Sequence, residues 1–212
     1  MSKEQVFIAK GLAPWYNIYW KEQDKIAKAD RFLSHQITCK DIINMGFMFY
    51  NCHDLISLDA SRSDTSNVEI MCGMFDNCNN LTSVDLSNFN TSKVNDMSYM
   101  FMDCSSLTTL DLSSFDTSNV TKMHSMFNGC YDLTTLDLSS FDTSNVTTIW
   151  RMFYDCYNLT TIKGIIDMKS CEYCGDMFHN CPKLAGVKIK NPPADFESKT
   201  GLSSSQYTVV NE

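Results

Sequence analysis

The chain is poor in the residues that break structure, with 8 Gly and 4 Pro in 212 residues, which excludes a collagenous or low-complexity chain. It lacks basic excess: 17 Lys and Arg stand against 25 Asp and Glu, a formal charge of −8, so its general field repels phosphate backbones and excludes nucleic acid as a partner. No uninterrupted apolar run approaches the roughly 20 residues of a membrane span. Residues 1–10 lack a basic region followed by a long apolar stretch, so neither a secretory signal nor an anchor is expected in this chain. There is no glycine loop to cradle phosphate, and no nucleophile, base and orienting group recur together, so an enzyme is not expected, nor a cofactor. What the chain has in abundance is 10 Cys, 13 Met and 13 Phe.

A repeat accounts for that abundance. The string Met-Phe-x-x-Cys starts at Met48, Met74, Met100, Met126, Met152 and Met177, 26 residues apart four times and then 25 once. The clearest units read MFMDCSSLTTLDLSSFDTSNVTKMHS and MFNGCYDLTTLDLSSFDTSNVTTIWR. Leu133, Leu136, Leu138 and Phe141 follow a Leu-x-x-Leu-x-Leu-x-x-Phe pattern whose alternation predicts a short strand with one buried face. Asp142, Thr143, Ser144 and Asn145 are turn formers and helix caps. Val120, Met123, Met126, Phe127 and Cys130 then predict a helix of about three turns. A lone strand and helix cannot bury both apolar faces, so the units must stack, each strand beside its counterpart in the next coil. The expected fold is therefore α/β: a right-handed solenoid with a parallel sheet of short strands on one face and short helices on the other. Six or seven coils at about 4.8 Å each make a rod roughly 30 Å long.

These units resemble those of the BspA-type leucine-rich-repeat surface proteins of bacteria, over residues 42–189. The resemblance implies a leucine-rich-repeat solenoid used for adhesion or recognition at a cell surface, without enzymatic activity. The export signal, lipid attachment or wall anchor usual in that family is missing from this sequence, which leaves a trimmed ectodomain, or another route to a surface such as assembly into a virion. Three parts are expected: a helical cap over 1–36, the solenoid over 37–190 and a C-terminal cap or tail over 191–212. In the first part Trp15, Tyr16, Tyr19 and Trp20 are expected to pack on the first coil. An alternative role is docking to a larger assembly, with the solenoid as a decoration or spacer.

The repeat also sorts the reactive side chains. Cysteines at the fifth position of each unit face the core and are read as small buried hydrophobes rather than disulfide partners. Cys171 and Cys174 have a zinc or redox spacing, but they occupy slots held elsewhere by Val120 and Met123 and are read as core. No metal centre is expected. Outward strand positions form the candidate binding surface: Asp59, Asp85, Asp111 and Asp137 share one slot, flanked by hydroxyls that include Thr109, Thr135, Ser87, Ser113 and Ser139, with Lys163 and Lys188 in the acidic slot of the last coils. Such a ladder of like charges calls for a counter-charge. A basic peptide face, a row of cations such as calcium, or sugar hydroxyls would each fit, and so would a solvated wall that prevents edge-to-edge aggregation. The expected partner is thus a protein or a glycan met at a surface.

Overall fold

The structure is a computed structural model that describes residues 42–61 and 63–211. The expected helical cap over 1–36, with its aromatic residues, lies outside the described residues. From Ile42 onward the chain winds into a solenoid of parallel coils. Strands β1 (Ser57–Asp59) and β2 (Ser83–Asp85) pair in parallel, as do β3 (Thr135–Asp137) and β4 (Thr161–Lys163). Strand β5 (Ile165–Asp167) begins a three-stranded parallel sheet with β6 (Val187–Lys190) and β7 (Tyr207–Val210). The register follows the repeat, with Ser57 beside Ser83, Leu58 beside Val84 and Asp59 beside Asp85. The middle residue of β1 or β3 points inward between two exposed neighbours, as strand geometry dictates. Residues 109–111 occupy the same place in the repeat but form no strand, so the wall is interrupted between β2 and β3.

Opposite the strands, the expected helices are absent among the described residues. The only α-helix among the described residues is α1 (Phe196–Thr200). Each Met-Phe-x-x-Cys segment is instead a zigzag of turns in which amide groups alternate between two partners. The N–H of Phe75 donates to Met100 O in the next coil at 2.9 Å and that of Asn77 to Met102 O at 2.7 Å, while Asp76 N–H turns back to Gly73 O and Cys78 N–H to Phe75 O. A helix would commit every N–H to the carbonyl four residues back. Two residues per coil take left-handed backbone, such as Gly73 at φ 58 and Asn77 at φ 61, or Ser125 at φ 54 and Gly129 at φ 73. That alternation of hand stops a helix from propagating. A second ladder of parallel bridges, from Asn44 through Ile70, Asp96, Lys122 and Thr148 to Tyr173, binds the coils along this face.

Inside, equivalent residues form columns. Phe49, Phe75, Phe101, Phe127, Phe153 and Phe178 stack with centroids 5.2 to 5.9 Å apart and planes within 10°. Phe89, Phe115 and Phe141 form a second stack. The repeat cysteines are free and buried. Each thiol from Cys78 onward donates to the carbonyl of a phenylalanine in the preceding coil, as Cys104 does to Phe75 O at 3.2 Å. Thr65, Thr91, Thr117 and Thr143 are buried hydroxyls that clasp adjacent coils: Thr117 Oγ1 donates to Asp142 O at 2.9 Å and accepts the Asp142 N–H at 2.8 Å. These threonine hydroxyls are thereby satisfied without breaking the apolar interior.

The last coils depart from the pattern. Gly164, at φ 96, turns the chain tightly over the backbone of Leu138 and Ser139, and the strand that follows, β5, pairs one coil on. At the C-terminal end β7 extends the sheet, while α1 takes the place of a further turn segment. Asp176 N–H donates to Lys199 O at 2.6 Å and Phe178 N–H to Thr200 O at 2.8 Å.

Candidate functional site

The strand wall sets the outward residues side by side. Asp59 stands beside Asp85, and Asp137 beside Lys163 with its Oδ2 3.4 Å from the Lys163 ammonium. Thr135 stands beside Thr161. Ser87, Ser113, Ser139 and Thr109 are exposed, Thr109 and Ser113 within or beside the interrupted stretch of the wall. Lys188 is not in this column. It pairs with Ile165 and Thr208, because the tight turn at Gly164 and the residue missing from the fifth unit shift the register of the last coil.

Each acidic residue also has a local task. Asp59, Asp85, Asp111 and Asp137 each accept, through Oδ1, the backbone N–H of the serine two residues on, at 2.9 to 3.0 Å. This turn steers the chain out of the strand. The backbone N–H and then the hydroxyl of Ser113 hold the Asp111 carboxyl below its usual range, outweighing repulsion from Asp137. The hydroxyl and N–H of Ser139, with a smaller contribution from Lys163, do the same for Asp137. The expectation that adjacent carboxylates demand an external counter-charge thus meets a physical correction: hydrogen-bond donors built into the repeat stabilise the charged form. A second ladder of the same kind, Asp64, Asn90, Asp116, Asp142 and Asp167, turns the chain at the next corner. These residues were expected to cap helices, and they close turns instead.

The turn face carries a connected run of aromatic and histidine side chains. Tyr99 meets the His124 ring edge-on at 4.6 Å, and His124 stacks on Trp150 at 5.3 Å. The Arg151 guanidinium lies 5.5 Å from the Trp150 ring and 5.0 Å from that of Tyr154, and pairs with Asp176 at 3.3 Å. Tyr154 in turn stacks on His179 at 5.2 Å. Reading the segment as a helix scattered these residues around a cylinder. Their register beside the Met-Phe pair was the signal that places them in one ridge. His53, His124 and His179 do not converge, and no group of three His, Cys, Asp or Glu able to hold a metal occurs among the described residues.

Below the ridge, burial pushes the Asp76 carboxyl up to about 7, with repulsion from Asp103 adding to it. Because the folded-state value is raised, the stabilisation is complete below the ordinary carboxylate range and is lost as pH rises through about 7. The contribution of Asp76 to stability is therefore expected to fall between about pH 4 and pH 8. Asp76→Asn should recover about 1–2 kcal/mol at pH 8 and nothing near pH 4, the gain being reduced by solvent screening of this half-buried group. Urea denaturation at the two pH values measures the difference, and an equal effect at both would exclude this cause.

The family model described as "Mycoplasma protein of unknown function, DUF285" matches residues 26–110 and 85–191. Among solved structures the chain is similar to a leucine-rich-repeat protein of T. pallidum, at 18% identity and a TM-score of 0.42, over 68% of this chain and 72% of that one. No curated protein matches. No helix among the described residues is long and apolar enough to cross a membrane.

Proposed function

The chain belongs to the family described as "Mycoplasma protein of unknown function, DUF285", and we propose that its leucine-rich-repeat-like solenoid is a recognition module that binds a protein or glycan partner without catalysing a reaction. The supporting observation is the acidic column of the strand wall: carboxylates one coil apart, each fixed by the N–H of a serine two residues on. Charges already ordered before an encounter lose little conformational freedom on binding, and a fixed polar pattern serves specificity and association rate. The repeated hydroxyls beside them add donors and acceptors suited to a polar partner. The place of action proposed is a cell surface, as the sequence resemblance implies.

Asn keeps the oxygen that accepts the serine N–H, so replacing Asp85, Asp111 and Asp137 together by Asn removes charge while preserving the turns. Partners are first sought on an array of glycans and matrix proteins. The triple variant should bind the captured partner at least about tenfold more weakly, chiefly through a slower on-rate, with an unchanged melting temperature. Calorimetry with calcium and with chelator tests cations at the same column. Unaltered partner affinity together with unaltered calcium response would make the wall passive.

A further inference from the structure

We infer that the turn face carries a binding site for a neutral pyranose ring, a slot between the Trp150 ring and the backbone at Gly175. The site lies apart from the strand wall and does not rest on the function proposed for it. Register creates the slot. The column two residues before the repeat methionine reads Ser98, His124, Trp150 and Gly175. Backbone bonds fix that order, since Ser125 N–H donates to Trp150 O at 3.0 Å and Arg151 N–H to Gly175 O at 2.9 Å. His124 stacks on one face of Trp150 at 5.3 Å, with the planes 7° apart. A side chain at position 175 would cover the other face in the same way, and glycine has none.

No neighbour refills the space. A Cβ built at Gly175 would meet no atom within 4 Å. The Arg151 guanidinium, 5.5 Å from the centre of the Trp150 ring, therefore borders the slot without filling it. Gly175 has no positive φ, so the turn does not require glycine there. What its missing side chain does provide is access to the partly exposed indole.

The rim selects the ligand. Arg151 Nε and Nη2 both donate to Asp176 Oδ2 at 3.3 Å, and the two side chains are 46% and 49% exposed. Both contacts end on one oxygen, so no hydrogen bond or ion pair among the described residues uses Asp176 Oδ1 or Arg151 Nη1. A hydroxyl both donates and accepts. Neighbouring hydroxyls of a sugar can give a proton to Asp176 Oδ1 and accept one from Arg151 Nη1, while the apolar C–H face of the ring lies on the indole. The rim charges cancel: a cationic ligand would meet Arg151 and an anionic one Asp176, which leaves a neutral polyol favoured. An aromatic ring without hydroxyls would fill the slot but desolvate the rim with nothing in return.

The indole N–H of Trp150 in the proton–nitrogen NMR spectrum of the full chain reads the slot directly, and its loss in Trp150→Phe assigns it. The probes are the methyl glycosides of glucose, galactose, mannose and N-acetylglucosamine, with toluene as the apolar ring. At least one glycoside should shift that resonance with a Kd of about 1 mM, the range expected for a ligand of this size. Gly175→Leu places a side chain in the slot at a position with room for it, and should abolish the shift at an unchanged melting temperature. Arg151→Met keeps much of the stem but removes the donors, and should weaken binding at least about fivefold. No shift with any of the four glycosides, an undiminished shift in Gly175→Leu or Arg151→Met, or tighter binding of toluene than of every glycoside overturns the proposal.

Discussion

Phe127→Ala is expected to destabilise the chain by about 4 kcal/mol, the middle of the range for emptying a buried aromatic site. The Phe127 ring is fully buried, and it is held between Phe101 at 5.9 Å and Phe153 at 5.5 Å, nearly parallel to both. Removing it takes away apolar burial and both stacking partners at once. Collapse cannot refill the space, because the coil spacing is pinned by backbone ladders and by the Thr117 and Thr143 clasps on either side. Phe127→Leu keeps most of the volume and should cost less than half as much. The midpoint of urea denaturation measures both. A loss below about 1 kcal/mol for the alanine variant would mean that the column is not part of a packed core.

The second large effect is expected at Gly164. A Cβ there would lie 2.6 Å from Leu138 O, 2.7 Å from Leu138 C and 2.9 Å from Ser139 N, all backbone atoms that cannot rotate aside, and φ is +96. Gly164→Ala should therefore cost about 3 kcal/mol, combining left-handed strain with displacement of the neighbouring coil. Gly186 separates the two causes. It also has positive φ, at 69, but a Cβ would meet nothing within 4 Å, so Gly186→Ala should cost only about 1 kcal/mol. Gly175, with open space and no positive φ, should tolerate alanine. Melting of the three variants side by side gives the ranking, and equal losses at Gly164 and Gly186 would remove close approach as a cause.

The sequence made some layers of this structure legible and hid others. Strand register and interior columns could be read because a 26-residue period repeats the same side chain at the same height, and stacking is the only way for Leu136 or Phe127 to be buried. The turn face was misread for a definite reason. The spacing of Val120, Met123, Met126, Phe127 and Cys130 puts them inward both on a helix and on a zigzag of turns, so burial pattern alone does not separate the two. The residue before each repeat cysteine does: Asn51, Asn77, Asp103, Gly129, Asp155 and Asn180 are the types that tolerate left-handed backbone, and a helix has no use for them there. The acidic column was found, but its serine donors were read as neighbours rather than as hydrogen-bond partners two residues on. Lys188 was misplaced because periodic counting does not see the turn at Gly164. The ridge from Tyr99 to His179 was hidden by the helical reading that dispersed it.

The central claim is that consecutive units share one continuous interior, with coils in parallel register. Distances between spin labels attached through non-cysteine chemistry at the outward positions Ile56, Thr82, Thr108, Thr134 and Thr160 test it most directly. With one label fixed at position 56, stacking predicts that the separation grows by a constant increment of about 4.8 Å for each coil passed. Irregular increments, or broad distributions that do not lengthen with coil number, would contradict it and would mean that the units pack as independent bodies.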